Sequence, residues 1–191
     1  MAESIIALIS KQTKQDSDEL RLIRTARKDP RAFGELYKIY VQPVFRYLYS
    51  RIGNVHEAED ITAQTFLAAF EAFHKFRQDE HFASWLFTIA RNKVMDHFRQ
   101  RSNSILIDEI DDIPVENDPL QGVIQSEQAA ALSKLIKALT EEDRELLRLR
   151  FIASMNFPEI AHFLHRNEEA VKKSVYRLLA RLHNQLEVSN E

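Results

Sequence analysis

The sequence predicts an all-α protein: two helical domains joined by a flexible acidic linker, the second domain containing a helix-turn-helix. Three observations predict it. Apolar residues recur at helical spacing through most of the 191 residues, and no pair of alternating segments reads as a hairpin. Glycine occurs only 3 times and proline 5 times, too few for a barrel, a sandwich or a nucleotide-binding α/β fold. Between Ser102 and Glu127 stand Asp108, Glu109, Asp111, Asp112, Glu116, Asp118 and Glu127, with no Lys or Arg. Such a segment repels itself and stays solvated.

The chain opens on MAESIIALIS and then turns polar. That apolar run is short and has no positive charge before it, so neither a signal peptide nor a membrane insertion is expected. Disorder is the simplest reading of Met1–Asp16. Leu20, Ile23 and Arg27 begin the first helix, which Asp29-Pro30 ends. Phe33, Leu36, Tyr37 and Tyr40 mark the second. Pro43 is expected to open a third, containing Val44, Tyr47, Leu48 and Ile52 and closed by Gly53-Asn54. A fourth runs from about Val55 to His74. Lys75–Glu80 reads as a loop. A fifth helix spans about Phe82 to Arg99 and buries Phe82, Leu86, Ile89 and Ala90. Trp85, between such neighbours, reads as a core residue rather than a base-stacking one.

Beyond the acidic stretch, punctuated by Pro114, Pro119 and Gly122, helical spacing resumes at about Val123. Ala130, Leu132, Leu135, Ile136 and Leu139 form one helix. Thr140 caps the next, in a near capping box, with Leu146, Leu147, Leu149 and Phe151 on its apolar side. Asn156 to Leu186 then reads as a short helix, a tight turn and a longer helix. Asn156 caps the short one, with Pro158 and Glu159 in its first turn and Ile160, Ala161 and Leu164 as its stripe. Asn167 caps the long one, which buries Val171, Val175, Leu178, Leu179, Leu182 and Leu186. Its other side carries Lys173, Tyr176, Arg177 and Arg181, a basic face suited to a major groove. An ordinary amphipathic helix with a solvated basic face fits these residues equally well, so the rest of the chain must decide.

Little else points to chemistry. Net charge is −3, but the acid is concentrated in the linker. There is no cysteine, hence no disulfide and no thiolate metal site. His162 and His165 share a helical face without an evident third ligand, so no metal is expected. No phosphate-binding glycine motif and no nucleophile–base pair stands out, and no enzyme activity or cofactor is expected.

The run LTEEDRELLRLRFIASMNFPEIAHFLHRNEEAVKKSVYRLLARL resembles the fourth domain of bacterial sigma-70 family transcription initiation factors. The likeness rests on Leu139, Arg150-Phe151, Pro158-Glu159-Ile160-Ala161 and Val171-Lys172. AEDITAQTFLAAFEAF followed by FASWLFTIARNKVMDHFRQR resembles the second domain of the same family. Two such patterns in family order, without domains one and three, resemble the compact extracytoplasmic-function (ECF) group. Gln64 stands where the family often has Glu, His165 where the turn usually has Gly, and Ala170 where Thr or Ser is common.

The resemblance implies domain 2 over 17–101, the acidic linker over 102–122 and domain 4 over 123–187. It implies core RNA polymerase binding by Asp60, Gln64, Phe66, Leu67 and Phe70. Spacing alone makes at least one of the two phenylalanines a core residue. It implies minus-ten contacts by Phe76, Arg77, Gln78, Arg91, Asn92, Asp96 and Arg99, where bases are unstacked and held. Lys173, Tyr176, Arg177 and Arg181 would read the minus-thirty-five element, with Arg166 and Lys172 positioning phosphates. Expected partners are core RNA polymerase, promoter DNA and an anti-sigma factor. The expected location is cytoplasmic, at the nucleoid when polymerase-bound. The acidic linker would shield the basic faces in the free protein. The alternative is a free-standing helix-turn-helix regulator whose N-terminal bundle binds a ligand or dimerises.

Overall fold

The computed structural model describes residues 18–77, 81–105 and 127–189, and all regular structure among them is helical. The N-terminal tail, Gln78 and the acidic run from Asp108 to Asp118 lie outside the described residues. Helix α1 spans 18–26. A short 3₁₀ turn, Pro30–Ala32, follows it, capped by the Asp29 carboxylate, which accepts from the Arg31 N–H. Helix α2 then runs unbroken over Phe33–Ile52, so Pro43 does not open a third helix as the sequence suggested. An interior proline deletes the bond to the Ile39 carbonyl and costs about 3 kcal/mol. Burial of Leu36, Val44, Tyr47 and Leu48 on both sides of it outweighs that, at roughly 1.5–3 kcal/mol each. Gly53, at φ 75°, ends the helix in the left-handed conformation and donates to the Tyr49 carbonyl.

Asn54 caps α3 (Val55–Ala72) by accepting from the Glu57 N–H. A 3₁₀ turn at Phe73–Lys75 leads to the loop, whose Phe76 carbonyl accepts from the Arg27 guanidinium. Helix α4 covers Phe82–Ile105, six residues beyond the end expected at about Arg99. It packs on α2 and α3 through Phe82, Leu86, Ala90 and Val94. Together α1 to α4 form the first helical domain.

In the second domain, α5 (Glu127–Lys137) packs on α8 (Glu168–Ser189), where Leu135 and Leu139 meet Leu178 and Leu182. Thr140 caps α6 (Glu141–Leu147) by accepting from the Asp143 N–H. A π-helical turn, Arg148–Ile152, follows directly. Its wider winding rotates Phe151 outward, so that Phe151 is exposed and not on the apolar side as expected. Helix α7 (Phe157–Leu164) opens on a complete capping box. Asn156 accepts from the Glu159 N–H, and the Glu159 carboxylate accepts from the Asn156 N–H. The turn into α8 goes through His165 at φ 52°, left-handed, where glycine would be at ease. Val171 and Val175 bury the front of α8, but Leu179 is exposed rather than buried, because only Leu178 and Leu182 reach the α5 seam.

The two domains share one buried cluster running from Ile23 to Val175. It crosses from α4 to α7 and from α2 to the π-helical turn.

Candidate nucleic-acid and protein interfaces

The outer side of α3 carries the first candidate surface. Asp60, Gln64, Leu67 and Phe70 are all exposed there, Leu67 at 60% and Phe70 at 48%. Phe66 points inward and is buried. The two phenylalanines belong to a two-rung ladder between α2 and α3. Phe33 meets Phe70 edge-on at 5.3 Å, and Tyr37 meets Phe66 at 4.8 Å. In each rung one ring is buried and its partner is exposed. Tyr37 therefore joins Leu67 and Phe70 in an exposed apolar strip with a carboxylate at its edge, the make-up of a helix-docking surface. Sequence reasoning placed Tyr37 only on an apolar stripe. The signal was its position one residue past Leu36, at the stripe's flank. Beside Phe70 opens a groove lined by Ala26, Arg27, Phe33, Phe73 and His74.

The second candidate surface is α4 with its preceding loop. Asn92, Asp96 and Arg99 are exposed on one face at spacings of four and three. Arg99 donates to the Asp96 carboxylate at 3.1 Å, a pairing that fixes its direction at small energetic gain. Arg91 sits apart from that face, its guanidinium 4.6 Å from the centre of the Phe163 ring on α7. Phe76 is buried against Phe73, Phe82 and Trp85. It supports the loop from beneath, while Arg77 beside it is exposed. Trp85 is a partly buried member of that aromatic cluster.

The third candidate surface is α8. Lys173, Tyr176 and Arg177 are exposed on one side, and Lys172 is half-buried. Arg166, in the turn, donates to the Ser174 hydroxyl at 3.0 Å, which aims it along α8. Arg181 is paired with Asp143 of α6 at 2.6 Å, so its charge is shared with the domain's own scaffold. Tyr176 leans on Phe157 at 6.0 Å, and the Arg150 guanidinium covers Phe157 at 4.9 Å while donating to the Met155 carbonyl. That stack sets the pitch of Tyr176 on the basic face. Among the described residues no group of three or more His, Asp or Glu lies close enough to hold a metal ion. No described helix is long and apolar enough to cross a membrane.

Sequence reasoning missed a polar cluster between the domains. Tyr47 on α2 donates to Glu145 on α6 at 2.7 Å, and Arg51 donates to the other Glu145 oxygen at 2.8 Å. Arg51 also donates to the Tyr47 hydroxyl oxygen at 3.1 Å. Burial first, and the Glu145 carboxylate second, push the Tyr47 hydroxyl far above the usual phenol range, so it remains a donor. Burial alone would lower the Arg51 guanidinium, but Tyr47 and Glu145 outweigh it and raise it. No spacing in the sequence joins residues so far apart.

Residues 36–104 match the family model for Sigma-70 region 2, and residues 129–182 match that for Sigma-70, region 4. The ECF RNA polymerase sigma factor BldN of Streptomyces coelicolor is 35% identical over 175 residues, spanning 87% of this chain and 66% of BldN. The RNA polymerase sigma factor NccH of Alcaligenes xylosoxydans xylosoxydans is 30% identical over 176 residues, 89% of this chain and 95% of NccH. Among solved structures, CnrH in complex with the cytosolic domain of CnrY superposes with a TM-score of 0.63 at 25% identity, covering 88% of this chain and 97% of that one. Two domain matches in family order and relatives aligned across both domains lead to one conclusion: this chain belongs to the sigma-70 family of RNA polymerase sigma factors, in its extracytoplasmic-function group.

Proposed function

We propose that the chain binds core RNA polymerase in the cytoplasm, directs it to promoters at the nucleoid and assists DNA opening, contributing no catalytic step of its own. The observation that carries this reading is the exposed strip of Tyr37, Leu67 and Phe70 beside Asp60 and Gln64. A free-standing regulator has no need of such a helix-docking face next to a DNA-facing helix, and the family relationship does not favour that alternative. In the proposed division of labour, residues 17–101 bind polymerase and the minus-ten element, 102–122 span between the domains, and 123–187 read the minus-thirty-five element. Asn92, Asp96, Arg99 and Arg77 face the melted region, with Phe76 holding the loop that presents Arg77, and Gln78 is a further contact there. Lys173, Tyr176 and Arg177 enter the upstream major groove. Arg166 and Lys172 bind phosphates, and Arg181 joins them when Asp143 releases it. CnrH, whose fold this chain shares, is found in complex with the cytosolic domain of CnrY, and an anti-sigma factor is the further partner proposed here.

Run-off transcription with purified core polymerase tests the reading. Promoter-specific transcripts should require this chain. Specific DNA binding without polymerase, together with no transcript in its presence, would restore the free-standing regulator.

A further inference from the structure

Helix α1 and the turn after it carry a charge that the fold leaves uncompensated. Arg21, Arg24, Arg27, Lys28 and Arg31 put five cations into eleven residues, and all five are exposed. The one acid in that run, Asp29, is spent on capping the 3₁₀ turn. Just before the run, Glu19 accepts from the Tyr40 hydroxyl at 2.8 Å. Elsewhere several exposed cations are neutralised: Lys38 pairs with Glu35, Arg101 with Glu57, Arg148 with Glu141 and Arg181 with Asp143. Among the described residues Arg21, Arg24, Lys28 and Arg31 have no such carboxylate partner. Like charges held this close repel, and an anionic partner relieves the repulsion.

Spacing gives the charge a direction. Arg21, Arg24 and Lys28 lie three and four residues apart and share one face, while Ile23 and Ala26 are buried on the other. The row is about 10 Å long. At its end the Arg27 guanidinium donates to the Phe76 carbonyl, which ties α1 to the loop before α4. His74, Lys75 and Arg77 are exposed along that loop. The loop is thus joined by the chain to the α4 face and by a hydrogen bond to the basic face of α1.

The chemistry of the face selects its partner. Four of the five cations are arginines, whose planar fork matches two phosphate oxygens. The run holds no Asn, Gln or aromatic residue, so it has neither the amides that read base edges nor the rings that stack on bases, and it suits backbone rather than sequence. Leu20 is the one large apolar side chain exposed on α1, too little to enter a lipid surface.

We propose that Arg21, Arg24 and Lys28, with Arg31 beyond them, form a sequence-independent track for the phosphates of single-stranded DNA that continues past the loop. The place of that strand in a promoter rests on the reading above. The affinity of the face for a single strand does not.

Titration of the full chain with a labelled oligothymidylate at a series of salt concentrations tests the face without polymerase. Arg21→Gln, Arg24→Gln and Lys28→Gln together keep helix propensity. They should lower the slope of log affinity against log salt by about 2, from three contacts at about 0.7 each. Arg21→Lys with Arg24→Lys should retain the slope, since the slope counts charge. An unchanged slope in the Gln variant overturns the track, and so does an equal loss in the Lys variant, which would mean that shape and not charge was disturbed. With core polymerase bound, a fork-junction probe whose single strand extends past the minus-ten element should bind the Gln variant more weakly whatever the sequence of the extension. The same probe cut at the element should lose nothing. Equal losses on both probes put the face against duplex or protein and overturn the track. Retention of the parent but not the Gln variant on phosphatidylglycerol vesicles, with no change in the thymidylate slope, assigns the face to a membrane and overturns it too. Absent run-off transcript with the slope change intact is failure of the promoter reading alone. Normal transcript with an unchanged slope is failure of the track alone.

Discussion

His165 holds the helix-turn-helix in shape at some internal cost. Ser154 and His165 are the non-glycine residues with positive φ among those described, and a left-handed L-residue is disfavoured by about 1–2 kcal/mol. Its N–H reaches the His162 carbonyl and that of Arg166 reaches Ala161, so the backbone of the turn is satisfied without glycine. His165→Gly should raise stability by roughly 0.5–1 kcal/mol, the relieved strain less the added freedom of the unfolded chain. Thermal unfolding checks it, and a lower midpoint would mean that the imidazole makes a contact worth more than the strain. Lys173 and Arg177 stand free of the scaffold's ion pairs that hold Arg181. Lys173→Ala or Arg177→Ala should weaken transcription from a promoter dependent on its minus-thirty-five element by about 1–3 kcal/mol per lost base contact, with polymerase binding intact. A double variant of full activity there would remove both from the readout.

At the scale of an element, α3 is the most exposed in consequence. Its inner side is tied down by Ala58, Ile61, Thr65 and Phe66, which leaves its outer side free to dock. Asp60→Lys should abolish co-purification with core polymerase while the helical spectrum is retained. Normal co-purification would place the interface elsewhere. Tyr47 gives α2 an alkaline limit. Its folded pKa lies above the unfolded 10.0, so its contribution is complete below pH 10 and is lost as pH rises through and beyond it. Stability against denaturant should therefore fall more steeply above pH 10 in the parent than in Tyr47→Phe. Much at this scale was legible in the sequence. Asn156, Thr140 and Gly53 announce helix ends because capping is local chemistry. Pro43 misled because its penalty is local while the burial that overrides it is tertiary. Phe151 misled because one π-helical turn shifts the period on which the reading depended. On the candidate surfaces, Asp60, Leu67, Lys173 and Arg177 were legible as exposed groups at helical spacing, whereas the burial of Phe76 depended on three rings, Phe73 from the preceding turn and Phe82 and Trp85 from α4.

Across the whole molecule, the sequence separated two domains but held no sign of their seam, since Tyr47 and Glu145 lie 98 residues apart. Charge adds a second layer. The seven acids from Asp108 to Glu127 belong to a chain whose helices proposed to face DNA are basic. Neutralising Asp108, Glu109, Asp111 and Asp112 to Asn or Gln should strengthen DNA binding by the free protein at low salt, because phosphate contacts supply most non-specific affinity, and should change the pattern of early RNA release. Unchanged affinity and unchanged abortive products would make the segment a plain tether.

The separation of 98 residues also sets a clock during synthesis. A ribosome adding about 5–20 residues per second finishes α4 at Ile105 roughly 2–8 seconds before Glu145 has been made. For that interval the nascent first domain presents Tyr47 and Arg51 without Glu145. Whatever meets the growing chain first, a chaperone or a polymerase already at hand, encounters a surface that the completed protein hides.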